Sequence, residues 1–151
     1  MTEPEFQAYY EYAVQDYAQD HVKAGTWLTS EALPNSEKQY RQLLPEGLAT
    51  RNQYLFSIED EETGAKVGMI WFAVDDKKTV PSSFIYDIRI QEEFRSRGYG
   101  TQALRALEEK VKELGVSKIG LHVFGHNHAA RALYEKVGYE ITGIQMTKKI
   151  D

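Results

Sequence analysis

The residues with the clearest chemical potential lie between positions 84 and 101, where a strand-like segment runs into a glycine-rich turn. Arg95, Arg97, Gly98 and Gly100 fall within six residues. Glycines let a bulky anion approach the backbone, and arginines add positive charge and paired hydrogen-bond donors. A turn that opens a helix also presents free N–H groups at the positive end of the helix dipole. This combination predicts a binding site for a pyrophosphate.

The segments that flank the turn have the patterns of a strand and a helix. Residues 84–90 are rich in β-branched and aromatic side chains, which is typical of a buried or half-buried strand. From residue 101 to 114 the apolar residues recur at helical spacing, at Ala103, Leu104, Leu107, Val111 and Leu114. We therefore expect strand, turn and helix in that order, with the anion at the turn.

A dinucleotide is a second candidate for the bound group. Residues 98–103 also fit the G-x-G-x-x-A fingerprint of nicotinamide cofactor sites. That fingerprint requires an acidic residue about 20 positions further on, but no Asp or Glu occurs between Glu113 and Glu135. The sequence therefore disfavours a nicotinamide oxidoreductase.

Length and composition are those of one globular domain, which we expect to span residues 1–151. The content of 42% hydrophobic and 27% charged residues is ordinary for such a domain. There is no apolar run of about 18 residues, so no membrane span is predicted. The chain contains no cysteine, which excludes disulfides, thiolate metal ligands and a cysteine nucleophile. The acidic N-terminus lacks a signal-peptide pattern, and we expect a cytoplasmic protein.

The net charge of −5 is unevenly distributed. Residues 1–62 hold 12 acidic and 4 basic residues, a net of −8, whereas residues 63–151 hold 11 and 14, a net of +3. This asymmetry favours an anionic cosubstrate and a cationic or neutral second ligand, although solvated helix faces explain most of the acids equally well. No concentrated basic stripe occurs, which disfavours nucleic acid binding. Four tyrosines between residues 9 and 17 exceed the needs of one buried stripe, so we expect two in the core and the others along a cleft.

Periodicity and turn residues predict one α/β domain with a mixed sheet. The first half is predicted to contain a helix over 3–24, a weaker helical region over 30–45 broken at Pro34, and a hairpin of strands 53–59 and 66–74. The strand over 84–90 and the helix over 101–114 follow. The chain is then predicted to form a strand over 118–124, a helix from Asn127 to a stop at Gly138, and a last strand over 139–146.

Two motifs together resemble those of the GNAT superfamily of N-acetyltransferases. The first is Arg-x-x-Gly-x-Gly over residues 95–100, and the second is the segment from Asn127 through Tyr134 to Tyr139. The resemblance is close over residues 84–141, and the order of elements fits from residue 3 to 150. Where the family's strand often ends in Val-x-Pro-Glu, this chain has Ile90-Gln-Glu-Glu. The chain looks most like the small, poorly characterised bacterial members, and the resemblance implies a mixed, mostly antiparallel sheet flanked by helices.

The resemblance also implies a binding site for acetyl-CoA as cosubstrate. Backbone groups of Ile88 and Ile90 would hold the pantetheine arm like an added strand, and the amides of the turn would hold the pyrophosphate. Asn127 would hydrogen-bond to the pantetheine, and it is equally suited to cap a helix. The full predicted set is Ile88, Arg89, Ile90, Arg95, Ser96, Arg97, Gly98, Tyr99, Gly100, Thr101, Asn127 and Ala130.

Tyr134 occupies the position where many members of the family place a general acid. Attack of an amine on a thioester expels a thiolate, and a phenol at the right distance can protonate it. The structural alternative is an aromatic side chain that packs its helix on the sheet.

His122 and Asp87 are the candidates for the general base. The strand position that matches His122 holds a glutamate base in ribosomal-protein alanine acetyltransferases, and histidine can do the same work near neutral pH. The position of a catalytic glutamate in some histone-type members matches Phe84, so that base is absent. A strand histidine is more often a hydrogen-bonded structural residue. A metal site at His122 and its neighbours is not expected, since no cysteine or nearby carboxylate completes it.

The function that the resemblance implies is acetyl transfer from acetyl-CoA to a primary amine, by direct attack in a ternary complex. The alternative is a non-catalytic module that binds or senses acyl-CoA. The acceptor is a small molecule or a protein amine, and neither its identity nor the oligomeric state can be read from the sequence.

Overall fold

The computed structural model describes residues 1–150. They form four α-helices and a four-stranded sheet, together with short 3-10 turns at Gly47–Ala49 and Glu92–Phe94. The elements are α1 (Glu3–Lys23), α2 (Thr29–Leu43), β1 (Gln53–Glu59), β2 (Lys66–Asp75), β3 (Ser82–Ile90), α3 (Tyr99–Glu113), β4 (Ile119–Leu121) and α4 (His128–Val137). None of the helices within these residues combines the length and hydropathy of a bilayer-spanning segment.

The sheet has the order β1-β2-β3-β4 and is mixed. The first two pairings are antiparallel, whereas β4 runs parallel to β3, with Phe84 opposite Gly120. A parallel neighbour needs a crossover connection, and α3 supplies it. The predicted class, a mixed and mostly antiparallel sheet flanked by helices, is confirmed.

A β-bulge in the central strand decides which side chains face which helices. Trp71 pairs with Asp87 and Phe72 pairs with Ile85, so Tyr86 is an extra residue in β3. A bulge shifts the alternation of side chains by one position. As a result Tyr86 stacks on Trp71, with ring centroids 4.6 Å apart, while Asp87 is on the same side and contacts α1.

Two hydrophobic cores cover the two faces of the sheet. On one face α1 and α2 pack against β1 and β2, with Trp71 1% exposed at the centre. On the other face α3 and α4 pack against β2 and β3, around Phe72 and Leu104, which are 0% exposed. Burial of this apolar surface is the main force that holds the helices to the sheet.

The N-terminal helix follows its prediction closely. Thr2 caps α1 in a reciprocal arrangement with Glu5, and Pro4 lies in the first turn, where a missing N–H costs nothing. Glu5 also pairs with Lys66 at 2.6 Å, which ties the start of α1 to β2. The pKa of Glu5 is lowered to about 2, chiefly by the hydrogen bond from Lys66.

The predicted break at Pro34 is wrong, because α2 continues through it. The proline ring removes one intrahelical hydrogen bond. Ala32, Ser36 and Tyr40 recur every four residues and are buried, so packing holds the helix on both sides of the proline. The Ser36 hydroxyl also donates to the carbonyl oxygen of Val14 at 2.6 Å.

Two predicted strands differ from the structure. The strand expected over 118–124 is limited to Ile119–Leu121, and the strand expected over 139–146 is absent, since residues 139–150 lie outside any helix or strand. A strand exists only where a neighbour accepts its hydrogen bonds. Pairing between β3 and β4 ends at Ile85 and Leu121, after which the two strands diverge.

Candidate functional site

The predicted pyrophosphate site lies at the N-terminus of α3. The helix begins at Tyr99, and its N-cap is Gly98, which has no side chain to accept a hydrogen bond. The N–H of Gln102 donates to the carbonyl oxygen of Gly98 at 3.1 Å. The amides that precede Gln102 are therefore the uncapped first-turn donors that bind anions at helix N-termini.

The two glycines of this turn are required for different reasons. Gly98 adopts φ +85°, a left-handed conformation that side chains disfavour. A Cβ at Gly100 would lie 3.0 Å from Cδ2 of Leu133 on α4, so this glycine permits close approach of the two helices. The sequence predicted one role for both glycines, and the structure gives Gly100 a packing role as well.

The two arginines of the turn are held by the protein itself. Arg95 Nε donates to the carbonyl oxygen of Ile90 at 2.9 Å, and the guanidinium of Arg97 lies 5.7 Å from the ring centroid of Phe94. Both side chains are exposed. They contribute positive charge to the turn, but Arg95 also uses one donor to shape the end of β3.

A cavity of about 540 Å³ lies beside the divergence of β3 and β4 and reaches α1, α2 and α4. It brings together seven of the predicted residues, from β3, α4 and the segment between β4 and α4: Tyr134, His122, Asp87, Ile88, Arg89, Asn127 and Ala130. Ile90 and the turn over residues 95–101 are outside its lining. The cavity and the turn are thus adjacent sites connected by β3.

Tyr134 lies on α4 with its ring 5.9 Å from the ring of Tyr139. Burial, together with the negative charge of Asp87, raises the pKa of Tyr134 to about 12. Because this pKa is far above neutrality, the phenol is protonated at neutral pH and can act as a donor. Tyr134 therefore lies in the cavity wall as a protonated phenol, and its role as the general acid stays a prediction.

Asp87 is the centre of a network between the sheet and α1. Its Oδ2 accepts from the hydroxyl of Tyr9 and from Nε of Arg89, each at 2.7 Å. The other side of Arg89 pairs with Asp16 at 2.7 Å. Burial and the charge of Asp87 raise the pKa of Tyr9 well above its usual range. Two donors already occupy Oδ2 of Asp87, which suits an orienting residue better than a proton acceptor.

His122 is exposed at the cavity, directly after β4. Its ring lies 5.0 Å from the ring of Phe124, and within residues 1–150 neither of its ring nitrogens has a hydrogen-bond partner in the protein. The structural alternative for a strand histidine, a ring hydrogen-bonded in place, does not describe this side chain. Among the described residues, the three neighbouring histidines do not assemble into a metal-binding group.

Asn127 is the N-cap of α4, where its Oδ1 accepts from the N–H of Ala130 at 3.4 Å. The same side chain lines the cavity. The cap uses only the oxygen of the amide, so the NH₂ group is available to a ligand. The two roles expected for Asn127 are therefore compatible.

Comparison with known proteins decides the family. The model of the acetyltransferase (GNAT) family matches residues 7–139. The chain belongs to the GNAT family. It is 39% identical over 150 residues to the uncharacterized N-acetyltransferase YycN of Bacillus subtilis, which covers 99% of this chain and 96% of YycN. It is 37% identical over 150 residues to the uncharacterized N-acetyltransferase YdgE of the same organism, with 99% and 95% coverage.

A crystal structure of YycN extends the likeness to the fold. It superposes with a TM-score of 0.94 at 39% identity, and covers 99% of this chain and 95% of YycN. This GNAT protein is accordingly an acyltransferase, and the likeness extends over nearly the whole chain.

The sequence missed most of the cavity wall in this GNAT protein. The wall also contains aromatic and polar residues of α1, α2, β2, β3 and the segment after β4, among them Tyr17, Asp20, Tyr40, Trp71, Tyr86 and Phe124. The excess of tyrosines in α1 was a usable signal, because Tyr9 is buried and Tyr17 reaches the cavity. No local pattern marks Tyr86, since its orientation depends on the bulge.

The sequence patterns also do not mark His21, a histidine next to the cavity. His21 stacks on Trp27 with centroids 3.7 Å apart, and its Nε2 is buried with no partner within residues 1–150. Burial and the proximity of His122 lower the pKa of His21. The neutral ring supports the aromatic wall formed by Tyr17 and Phe124.

Proposed function

We propose that this protein transfers the acetyl group of acetyl-CoA to a primary amine by direct attack in a ternary complex. The observation that supports this proposal most directly concerns β3. This strand leads into the uncapped, glycine-rich N-terminus of α3, and its residues line the cavity that contains the protonated phenol of Tyr134. An anion site just after the C-terminal end of β3 and a proton donor in the cavity along β3 are the two groups that thioester aminolysis on CoA needs.

The residues present fit acetyl-CoA. Beyond Ile85, β3 has no partner strand on its β4 side within residues 1–150, so its backbone groups there are available to an extended ligand. Asn127 lines the same cavity, and its NH₂ group is not used by the helix cap. The free amides at the start of α3 suit the pyrophosphate. When bound, the cosubstrate supplies an acyl group activated as a thioester. The carbonyl oxygen of Ile90 is already bonded to Arg95, so Ile88 is the better placed of the two backbone partners.

In the proposed reaction Tyr134 donates a proton from its hydroxyl to the departing sulfur. A base must first remove a proton from the acceptor ammonium, because only the neutral amine attacks. We assign this role to His122, whose ring is exposed in the cavity and free of protein hydrogen bonds within residues 1–150. Asp87 then orients Tyr9 and Arg89 rather than accepting the proton.

The decisive experiment measures thiol release from acetyl-CoA with a panel of primary amines. We expect release that depends on the amine, with initial-rate plots that intersect, as for a ternary complex. Parallel plots would contradict direct attack. Tight binding of acetyl-CoA without release for any amine would instead favour the acyl-CoA-binding module.

A further inference from the structure

The turn over residues 95–101 is exposed and has an unfavourable backbone. Arg95, Ser96, Arg97 and Gly98 are all exposed. Ser96 adopts φ +62° and Gly98 adopts φ +85°, in the left-handed region that side chains disfavour. A backbone of this kind persists only where the surrounding contacts hold it. The conformation of the turn therefore depends on contacts with the rest of the chain.

One side-chain contact ties this turn to a distant part of the chain. The hydroxyl of Tyr99, the first residue of α3, donates to Oδ2 of Asp60. Asp60 directly follows β1, in the hairpin turn that leads to β2. Within residues 1–150, no other side-chain hydrogen bond joins residues 91–99 to an element other than β3. We call this contact the Asp60–Tyr99 clamp.

Asp60 is fixed in its hairpin. Its Oδ1 accepts from the N–H groups of Glu62 at 2.8 Å and Thr63 at 3.0 Å, and its backbone closes the hairpin with two further hydrogen bonds of 2.8 Å. The hydrogen bond from Tyr99, together with those from the two N–H groups, lowers the pKa of Asp60. The carboxylate is therefore ionised at neutral pH, and the bond from Tyr99 is charge-assisted.

The other side of the clamp is part of the anion site. Tyr99 is the first residue of α3, and its N–H belongs to the uncapped first turn of this helix. Its ring packs edge-to-face against Phe94, with centroids 6.1 Å apart. Phe94 in turn contacts the guanidinium of Arg97, 5.7 Å from its ring centroid. One side chain therefore connects the hairpin, the free amides and an arginine of the turn.

We propose that Asp60 is a positioning residue for the pyrophosphate site, because it holds Tyr99 and thereby fixes the first turn of α3 in its anion-binding conformation. This inference rests on the proposed function and deepens it. The hydroxyl of Tyr99 is bound to the hairpin, so the backbone of this residue is the part left for a ligand. A turn that is already held in the free protein does not have to be ordered when acetyl-CoA binds.

The charge of Asp60 distinguishes positioning from simple electrostatics. A carboxylate beside an anion site repels the anion, so its removal on electrostatic grounds alone should make CoA bind more tightly. Loss of positioning should make CoA bind more weakly, because the turn then populates conformations that do not bind it. The two effects have opposite signs.

The first test titrates CoA calorimetrically into the parent, Tyr99→Phe, Asp60→Ala and the double variant. Tyr99→Phe keeps the ring and removes only the donor. We expect each single variant to bind CoA about tenfold more weakly, the effect of one lost hydrogen bond to a charged group. The double variant should also lose about tenfold, because both changes remove the same bond.

Asp75→Ala is the matched control. Asp75 follows the same pattern in the other hairpin, where its Oδ1 accepts from the N–H of Lys77 at 3.1 Å. It lies at the opposite end of β2 from the first hairpin. We expect this variant to bind CoA like the parent. Thermal unfolding of each variant gives a temperature at which all of them are folded, and the titrations are made there.

The second test separates positioning of the pyrophosphate site from a general loss of structure. It compares acetyl-CoA with S-acetylpantetheine, an acyl donor that has the same thioester arm and no phosphate. In Tyr99→Phe we expect kcat/KM for acetyl-CoA to fall about tenfold, mainly through KM, while kcat/KM for S-acetylpantetheine is unchanged. A disturbed catalytic cavity would lower the values for both donors.

Three results would overturn the clamp. They are binding of CoA by Tyr99→Phe or Asp60→Ala that is as tight as in the parent or tighter, a loss of about hundredfold in the double variant, which would show independent effects, and an equal loss with both acyl donors. The titration requires no turnover. A parent that binds CoA but releases no thiol contradicts acetyl transfer alone, whereas parent-like binding by Tyr99→Phe in an active enzyme contradicts the clamp alone.

Discussion

Asn127 combines a structural group and a proposed binding group in one side chain. Its oxygen caps α4, its NH₂ group is not used by the cap, and the residue lines the cavity. Asn127→Ser keeps a capping oxygen but lacks the NH₂ donor, whereas Asn127→Ala loses both. We expect the serine variant to keep the parent's stability and to bind acetyl-CoA about fivefold more weakly, the effect of one lost hydrogen bond.

The alanine variant is the control for the cap. It should lose about 1 kcal/mol of stability in addition to the weaker binding. Thermal unfolding and calorimetric titration separate the two effects. Parent-like affinity in the serine variant would limit Asn127 to a capping role.

The proposed role of Tyr134 predicts both the turnover of a variant and the pH dependence of the reaction. Tyr134→Phe keeps the ring and removes the hydroxyl, so turnover should fall by about 10²–10⁴-fold with little change in cosubstrate affinity. The pKa of this phenol is raised to about 12. The donor is therefore present below that pH and lost only as the pH rises through it.

The pH profile of kcat/KM checks this assignment. Tyr134 should produce no loss of activity between pH 7 and about 10, so the profiles of parent and variant should have the same alkaline shape there. An alkaline limb near pH 8 that disappears in Tyr134→Phe would contradict a pKa of about 12 for this phenol.

Gly98 and Gly115 form a matched pair for a test of the proposed pyrophosphate site. Both adopt left-handed backbone angles, φ +85° and +78°, and Gly115 lies in open space beyond the other end of α3. Aspartate at either position imposes a similar backbone strain, and at Gly98 it also adds a negative charge at the helix N-terminus. We expect Gly98→Asp to weaken acetyl-CoA binding at least about tenfold through repulsion.

Gly115→Asp should bind acetyl-CoA like the parent, whatever its stability. Binding is measured at a temperature where both variants are folded. Equal affinities for the two variants would move the pyrophosphate away from this turn.

At the scale of the elements, the pairing of β2 and β3 depends on Gly68. A Cβ there would lie 2.0 Å from the carbonyl oxygen of Arg89, so the strands could not keep their separation. A Cβ at Gly120 in β4 would meet its nearest neighbour, on Phe84, at 3.7 Å, an ordinary contact. We expect Gly68→Ala to destabilise the protein by about 3 kcal/mol, at the upper end of overpacking costs, and Gly120→Ala to be close to neutral.

Denaturant unfolding of the two variants measures this difference. A shift of β3 away from β2 would affect function locally, because Arg89 on β3 pairs with both Asp87 and Asp16. Similar stability of the two alanine variants would show that β2 can move away from β3 without cost.

At the scale of the whole molecule, several acids of the first half already have basic partners. Glu5 pairs with Lys66 and Asp16 pairs with Arg89. Asp20 lines the cavity, where its partner is His126 at 3.3 Å. The predicted attraction of a cationic acceptor therefore depends on Asp20 and the aromatic wall rather than on the total charge.

Electrostatic recognition of the acceptor can therefore be tested at one residue, Asp20. Asp20→Asn should lower kcat/KM for a cationic amine about fivefold at low salt, and the difference should shrink as salt rises. Glu37→Gln makes the same charge change on α2, outside the cavity lining, and should have no such effect. If the preferred acceptor is anionic, or if both variants respond to salt like the parent, electrostatic recognition of the acceptor is excluded.

Local patterns were sufficient where neighbours in sequence decide the structure. The first helix, the hairpin of β1 and β2, and the glycine turn before α3 depend on residues within a few positions of one another. Local patterns gave wrong predictions at Pro34 and over residues 139–146, because packing or pairing with distant segments decides the secondary structure there.

The sequence by itself determined the class of the fold and the type of chemistry, because periodicity, glycines at left-handed angles and a motif of fixed spacing are local properties. Only the tertiary structure decided how Tyr134, His122 and Asp87 share one cavity, and why Asp87 is bound by Tyr9 and Arg89. The reason is the bulge at Tyr86 and the divergence of β3 from β4. Both arise from pairing between strands, which no single stretch of the chain contains.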